Sequence, residues 1–153
     1  MSNAKEYLEG IKRYDTLIQN KRKEQEYWKG IMMERATSIT AQMGGERVQS
    51  SGSKHKMADT IDSGIDRAQK IEKRIAELFD KMDAIIADIE QLPEDKSDIL
   101  HKVYVQYMSL KEVAASRGES YSWVTTNHGI ALKMIADILD KRKAAADNAL
   151  LKK

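Results

Sequence analysis

The sequence has no cysteine, a single proline among 153 residues and few aromatic residues, 6% in all. The first absence excludes disulfides and thiolate zinc sites and fits a cytoplasmic protein. The second leaves few places where a helix is forced to stop. No apolar run approaches the roughly 20 residues needed to cross a bilayer. The opening MSNAKEYLEG runs into charged sequence instead of the apolar core of a signal peptide. A strong charge of one sign is missing too. The net charge of +2 removes the easy argument from a basic chain to nucleic acid without excluding it.

Catalytic vocabulary is also thin. There is no phosphate-binding glycine loop, nucleophile elbow or zinc motif. His55, His101 and His128 lie too far apart for a metal motif, and His128 reads as a packed side chain. The many carboxylates follow helical faces beside lysines and read as solvated i,i+4 pairs. Trp28 and Trp123 read as packing or interface residues. The expectation is a protein that is not an enzyme and holds no cofactor or metal.

What is present is helix. The composition, 41% hydrophobic and 33% charged, points to helices that are partly exposed. From about Lys5 to Ala41 apolar residues recur at helical spacing (Leu8, Ile11, Tyr14, Ile18, Trp28, Ile31, Met32). This predicts one long amphipathic helix fraying near Thr37 to Met43. The stretch Gly44 to Lys56, GGERVQSSGSKHK, reads as a loop on its glycines and serines, with Ser53 available to cap a second helix. A cleaner pattern runs from about Lys54 to Leu92: Met57, Ile61, Ile65, Ala68, Ile71, Ile75, Leu78, Met82, Ile85 and Ile89. Steps of three or four residues sustained this long predict a coiled-coil seam. Pro93 stops it. Two such helices predict an antiparallel hairpin over residues 1–92, with dimerisation into a four-helix assembly as a competing outcome.

After Pro93 the chain changes character. Ile99, Leu100, Val103, Tyr104 and Tyr107 predict a third helix of about three turns. Ser109-Leu110-Lys111-Glu112 is a capping box opening a short helix. Ala114, Gly118 four residues on and Val124 six beyond that have helix-turn-helix spacing, the glycine sitting where the turn requires a left-handed backbone. Ser120 can cap the second helix of that pair. An ordinary corner between two helices is the alternative reading of the same residues.

Tyr107, SLKEVA, Gly118, Ser120, Val124, His128 and Ala131-Leu132 resemble region four of bacterial sigma factors, the part that reads the promoter −35 element. The chain up to about Leu139 resembles a family of uncharacterised phage and prophage proteins. The pieces that carry this are Lys5-Glu6-Tyr7-Leu8, Arg47 to Ser53 and Lys56-Met57-Ala58-Asp59. The resemblance implies an all-α chain: a long antiparallel helical hairpin, then a sigma region-four-like helix-turn-helix over 93–143 and a helical or frayed tail over 144–153. It also implies a phage transcription regulator working in the cytoplasm of a bacterial host.

On that reading Tyr121, Ser122, Thr125 and Thr126 face the bases, Ser120 holds a phosphate, and Lys111, Arg117 and Lys133 pair with flanking phosphates. Arg47, Lys54 and Lys56 in the loop are candidates for contact with a partner or with the DNA backbone. The sigma pattern is not followed everywhere. Between Ser120 and Leu132 there is no lysine or arginine, and Asn127 stands at a usually apolar position. Three basic and two acidic side chains from Leu110 to Lys133 mean weak non-specific affinity, which a dimer with two reading heads would raise. Two rivals remain: a protein-interaction module that contacts RNA polymerase or another partner without DNA, and a small-terminase-like packaging adaptor forming a large ring.

Overall fold

The computed structural model describes residues 3–43 and 51–153, and for 39–43, 51–57 and 60 the backbone only. Among the described residues the chain is all-α. Helix α1 spans Ala4–Met43, α2 Ser51–Glu90 and α3 Glu94–Leu100; a π-helical turn covers His101–Val105, and α4 (Leu110–Arg117) and α5 (Tyr121–Leu151) come after it. Among these residues no helix is long and apolar enough to cross a membrane.

The helices run further than the composition predicts. Helix α1 continues through Thr37, whose hydroxyl donates to the Met33 carbonyl one turn back (2.8 Å), to Met43. Helix α2 starts at Ser51, so Ser53 lies inside it and not at its start; the side chain of Ser53 lies outside the described residues. Serine is only a few tenths of a kcal/mol worse than alanine in a helix, too little to end one that continues on its far side. Arg47 and the side chains of Lys54 and Lys56 lie outside the described residues.

Packing divides the chain into two compact units: Met1–Asp15 with Asp80–Lys153, and Thr16–Phe79. Pro93 therefore breaks the chain path but not the packing. In the first unit Leu8 and Ile11 of α1, Ile85 and Ile89 of α2, Leu100, Tyr104, and Ala131 and Ile135 of α5 share one core. Residues at both ends of the sequence bury apolar surface together, which no composition shift at the proline reveals. A second cluster joins Ile99, Val113, Ala114 and Val124 where α3, α4 and α5 meet.

In the Thr16–Phe79 unit the two helical segments are antiparallel, residue numbers falling on α2 as they rise on α1. The Arg22 guanidinium lies 5.8 Å from the Phe79 ring centroid, the Gln25 amide donates to Glu72, and Arg67 lies 4.0 Å from the Trp28 ring centroid. Met32 seats on Gly64, where an added Cβ would come within 1.9 Å of its sulfur. The α2 stripe is buried at Ile71, Ile75 and Leu78 but open at Ile61 (39% exposed) and Ile65 (46%). At that level Met32 of α1 sits over Gly64, and a single neighbouring helix leaves the flanks of α2 uncovered.

The third helix differs from its sequence reading. It passes into the π turn, where the Gln106 N–H donates to the His101 carbonyl (3.1 Å) and the Met108 N–H to that of Lys102 (2.9 Å). The wider turn shifts the helical phase, and Tyr107 drops off the buried face. Its backbone is left-handed (φ 58°), its ring is exposed, and its hydroxyl donates to Asp15 at 3.0 Å. A non-glycine residue there is strained by about 1 kcal/mol or more, which the Asp15 and Met108 hydrogen bonds offset.

Candidate functional site

The segment from Ser109 to Ile135 is built from local hydrogen bonds whose donors and acceptors are legible one by one. The Ser109 hydroxyl accepts from the Glu112 N–H (3.2 Å) and the Glu112 carboxylate accepts from the Ser109 N–H (2.8 Å), a complete capping box. At the other end of α4, Gly118 is left-handed (φ 66°). Its N–H donates to Ala115 and the Glu119 N–H donates to Ala114 (3.0 Å), the two bonds of a Schellman cap. Ser120 then accepts from the Trp123 N–H (3.1 Å) and opens α5. Two capped helices meet across one tight turn, and Val113, Ala114 and Val124 close the contact between them.

This turn fixes which face of α5 points outward. Val124, Asn127, Ala131 and Ile135 are buried, whereas Tyr121, Ser122, Thr125, Thr126 and Lys133 are exposed. Asn127 fits among apolar neighbours because its amide donates to the Trp123 carbonyl one turn back (2.9 Å). The Thr125 hydroxyl donates to the Tyr121 carbonyl (2.8 Å), which leaves its methyl and lone pairs outward. Ser120 is exposed beside them.

The basic residues divide into two groups. Lys111 and Lys133 are exposed and make no ion pair among the described residues. Arg117 is committed: its guanidinium pairs with Asp98 and lies 5.3 Å from the Trp123 ring centroid. Lys102 holds the same carboxylate at 2.7 Å, and Lys96 pairs with Asp95 at 2.9 Å. Burial alone would raise the Asp98 carboxyl, but the hydrogen bonds from Lys102 and Arg117 overcome it and hold it below the usual range. Residues 94–133 carry five basic and five acidic side chains.

Beneath this surface, His128 packs against Tyr104. The rings are stacked with centroids 5.9 Å apart, and the Tyr104 hydroxyl lies 3.1 Å from Nε2. Burial, with Lys5 nearby, lowers the His128 pKa; burial, with Glu9 nearby, pushes Tyr104 up to about 12.

Sequence reasoning missed Asp88. Its side chain is only 3% exposed and accepts from both ends of the Arg142 guanidinium (2.7 and 3.1 Å) and from the Tyr7 hydroxyl (2.5 Å). This carboxylate joins α1, α2 and α5, and it neutralises Arg142 of the Lys141-Arg142-Lys143 run. The one signal in the sequence is its place between Ile85, Ile89 and Leu92 on the apolar stripe; its partners lie 81 and 54 residues away. Among the described residues no cluster of histidines and carboxylates suited to a metal ion occurs.

No protein-family profile matches the chain, and neither a curated protein nor a solved structure does.

Proposed function

We propose that the segment Leu110–Lys133 is a sigma region-four-like helix-turn-helix that reads duplex DNA, in a phage-type transcription regulator. One observation carries the reading: a tight, doubly capped turn projects the first two turns of α5 outward with Tyr121, Ser122, Thr125 and Thr126 exposed. Hydroxyls and a threonine methyl suit base edges in the major groove, and the Ser120-capped helix start suits a phosphate. The spacing of Ala114, Gly118 and Val124 and the resemblance to sigma factors and to the phage family support the same reading.

Two free lysines make a single head a weak binder. Self-association supplies the missing affinity by joining two heads. Its support is the exposed apolar surface of the Thr16–Phe79 unit, where Leu17, Tyr27, Met33, Ile61, Ile65 and Phe79 face solvent. The test is selection from a random pool of duplexes. The protein enriches a defined sequence, and Tyr121→Ala with Thr125→Ala abolishes the enrichment while leaving the helical content intact. Enrichment that survives in the double variant would refute the assignment.

A second reading is favoured by the equal numbers of basic and acidic side chains over residues 94–133: the same outward face docks on a protein, RNA polymerase being one partner of that kind. Co-purification with polymerase without DNA affinity selects it. A large ring in solution selects the packaging adaptor instead.

A further inference from the structure

Of the five basic side chains between Glu94 and Lys133, three are held by carboxylates of the same segment. Two of those three, Lys102 and Arg117, converge on one group, Asp98. Arg117 ends α4 and immediately precedes the Gly118 turn, so it belongs to the surface that leads into the exposed start of α5. Its side chain keeps part of its surface in solvent (21% exposed), although its Nε is buried, as do the Lys102 side chain (21%) and the Asp98 side chain between them (33%). Asp98 and Arg117, with Glu94 and Asp95, line an open recess of about 660 Å³. Both cations are therefore partly open to solvent, but each already has an anion in contact, and the recess beside Arg117 is itself acidic.

Resting on the DNA-reading function above, we propose that Asp98 is a charge mask: it holds Lys102 and Arg117 in internal ion pairs and thereby sets how tightly the α4–α5 segment grips the phosphate backbone. A cation already neutralised by a contacting carboxylate releases no counterion from DNA, because the phosphate would have to displace that carboxylate first. Each cation that does contact a phosphate steepens the dependence of log K on log salt by about 0.9. With Asp98 in place, Lys111 and Lys133 are the contributing side chains of one head, and the slope stays shallow. Without its charge, Lys102 and Arg117 join them. The device favours sequence over charge: a head with few phosphate contacts has little non-specific affinity to dilute its choice of site.

The experiment is salt-titrated fluorescence anisotropy of the full chain with a labelled duplex. It compares the unaltered protein, Asp98→Asn, the double variant Asp98→Asn with Arg117→Gln, and Glu119→Gln. Glu119 is exposed and makes no ion pair among the described residues, so its variant makes the same change in net charge without freeing a cation. Asp98→Asn is expected to steepen the slope by about 0.9 to 1.8 per reading head. The double variant is expected to return part of that gain, and Glu119→Gln to leave the slope within about 0.3 of the unaltered protein. Thermal melts of each variant identify any that fail to fold. Should Asp98→Asn fail, Lys102→Gln serves in its place: masking predicts no change in slope, whereas Lys111→Gln makes it shallower by about 0.9. An unchanged slope in Asp98→Asn, or an equal steepening in Glu119→Gln, overturns the mask and leaves the DNA reading standing. Absence of binding by the unaltered protein and by Asp98→Asn alike overturns both. Binding by Asp98→Asn alone supports the mask in its strongest form.

Discussion

Removing either partner of the Asp88–Arg142 pair breaks the same two hydrogen bonds, yet the two losses are expected to differ. Arg142 is about half exposed (55%) whereas Asp88 is nearly closed off (3%). In Asp88→Asn the arginine is left at the surface and rehydrates, and the new amide oxygen still accepts from Tyr7. The two lost bonds are charge-assisted, but the half-exposed arginine regains water, so the net loss is about 1–2 kcal/mol. In Arg142→Met the methylene stem survives but a buried carboxylate keeps, among the described residues, Tyr7 (2.5 Å) and Gln91 (3.3 Å) as partners. Breaking a fully buried pair this way costs about 3–5 kcal/mol, and the half-exposed arginine lowers that to about 2–3 kcal/mol. Restoring neutrality with Asp88→Asn in the Arg142→Met background should recover about 1 kcal/mol, so the two losses are not additive. The pH dependence gives a second reading of the same physics. In the unaltered protein the Asp88 carboxyl is lowered: burial opposes the shift, and the Arg142 and Tyr7 hydrogen bonds outweigh it. Its contribution is therefore present above the unfolded pKa and lost as pH falls through the folded one. Without Arg142 burial dominates and the folded pKa lies above the unfolded value, so the deficit of Arg142→Met should shrink as the pH is lowered. Urea unfolding followed by far-UV circular dichroism at pH 7 and 5, at one protein concentration, measures all of this. An Asp88→Asn loss exceeding that of Arg142→Met, or strict additivity in the double variant, would refute the reasoning.

Gly118→Ala should lower stability by about 1 kcal/mol through left-handed strain at φ 66°, with Gly118→Asn milder, and Ser109→Ala should lose a similar amount with its cap; thermal melts check each. Gly64→Val should destabilise the Thr16–Phe79 unit by about 1–3 kcal/mol because the new side chain displaces Met32, and Met32→Ala should rescue it, as read by urea unfolding. His128 has a lowered pKa, so below pH 6.5 the unfolded chain binds the proton first and stability falls with pH. His128→Gln should flatten that slope between pH 7 and 5, and an unchanged slope would contradict the burial assignment.

The parts of the fold legible in the sequence are those governed by neighbours along the chain. Ser109, Glu112, Gly118 and Ser120 act over three or four residues, and their hydrogen bonds appear as their spacing predicts. The all-α class follows from periodicity alone. The features that are not legible depend on partners far apart in sequence. Asp88 looks like any surface carboxylate until Tyr7 and Arg142 are brought to it. Arg117 looks like a phosphate ligand until Asp98, 19 residues earlier, takes its charge. Tyr107 escapes the periodicity for a local reason: one extra residue in the π turn carries it off the apolar face, and helical spacing has no term for that insertion.

If α5 meets DNA through hydroxyls and few cations, salt should weaken its binding only gently. Anisotropy of a selected duplex, titrated from low to moderate salt with the unaltered protein, reads that dependence. The expected result is saturable binding with a log–log slope of about −2 for one head or −4 for two, reflecting Lys111 and Lys133. No binding at the lowest salt, or a slope near about −8, would contradict it.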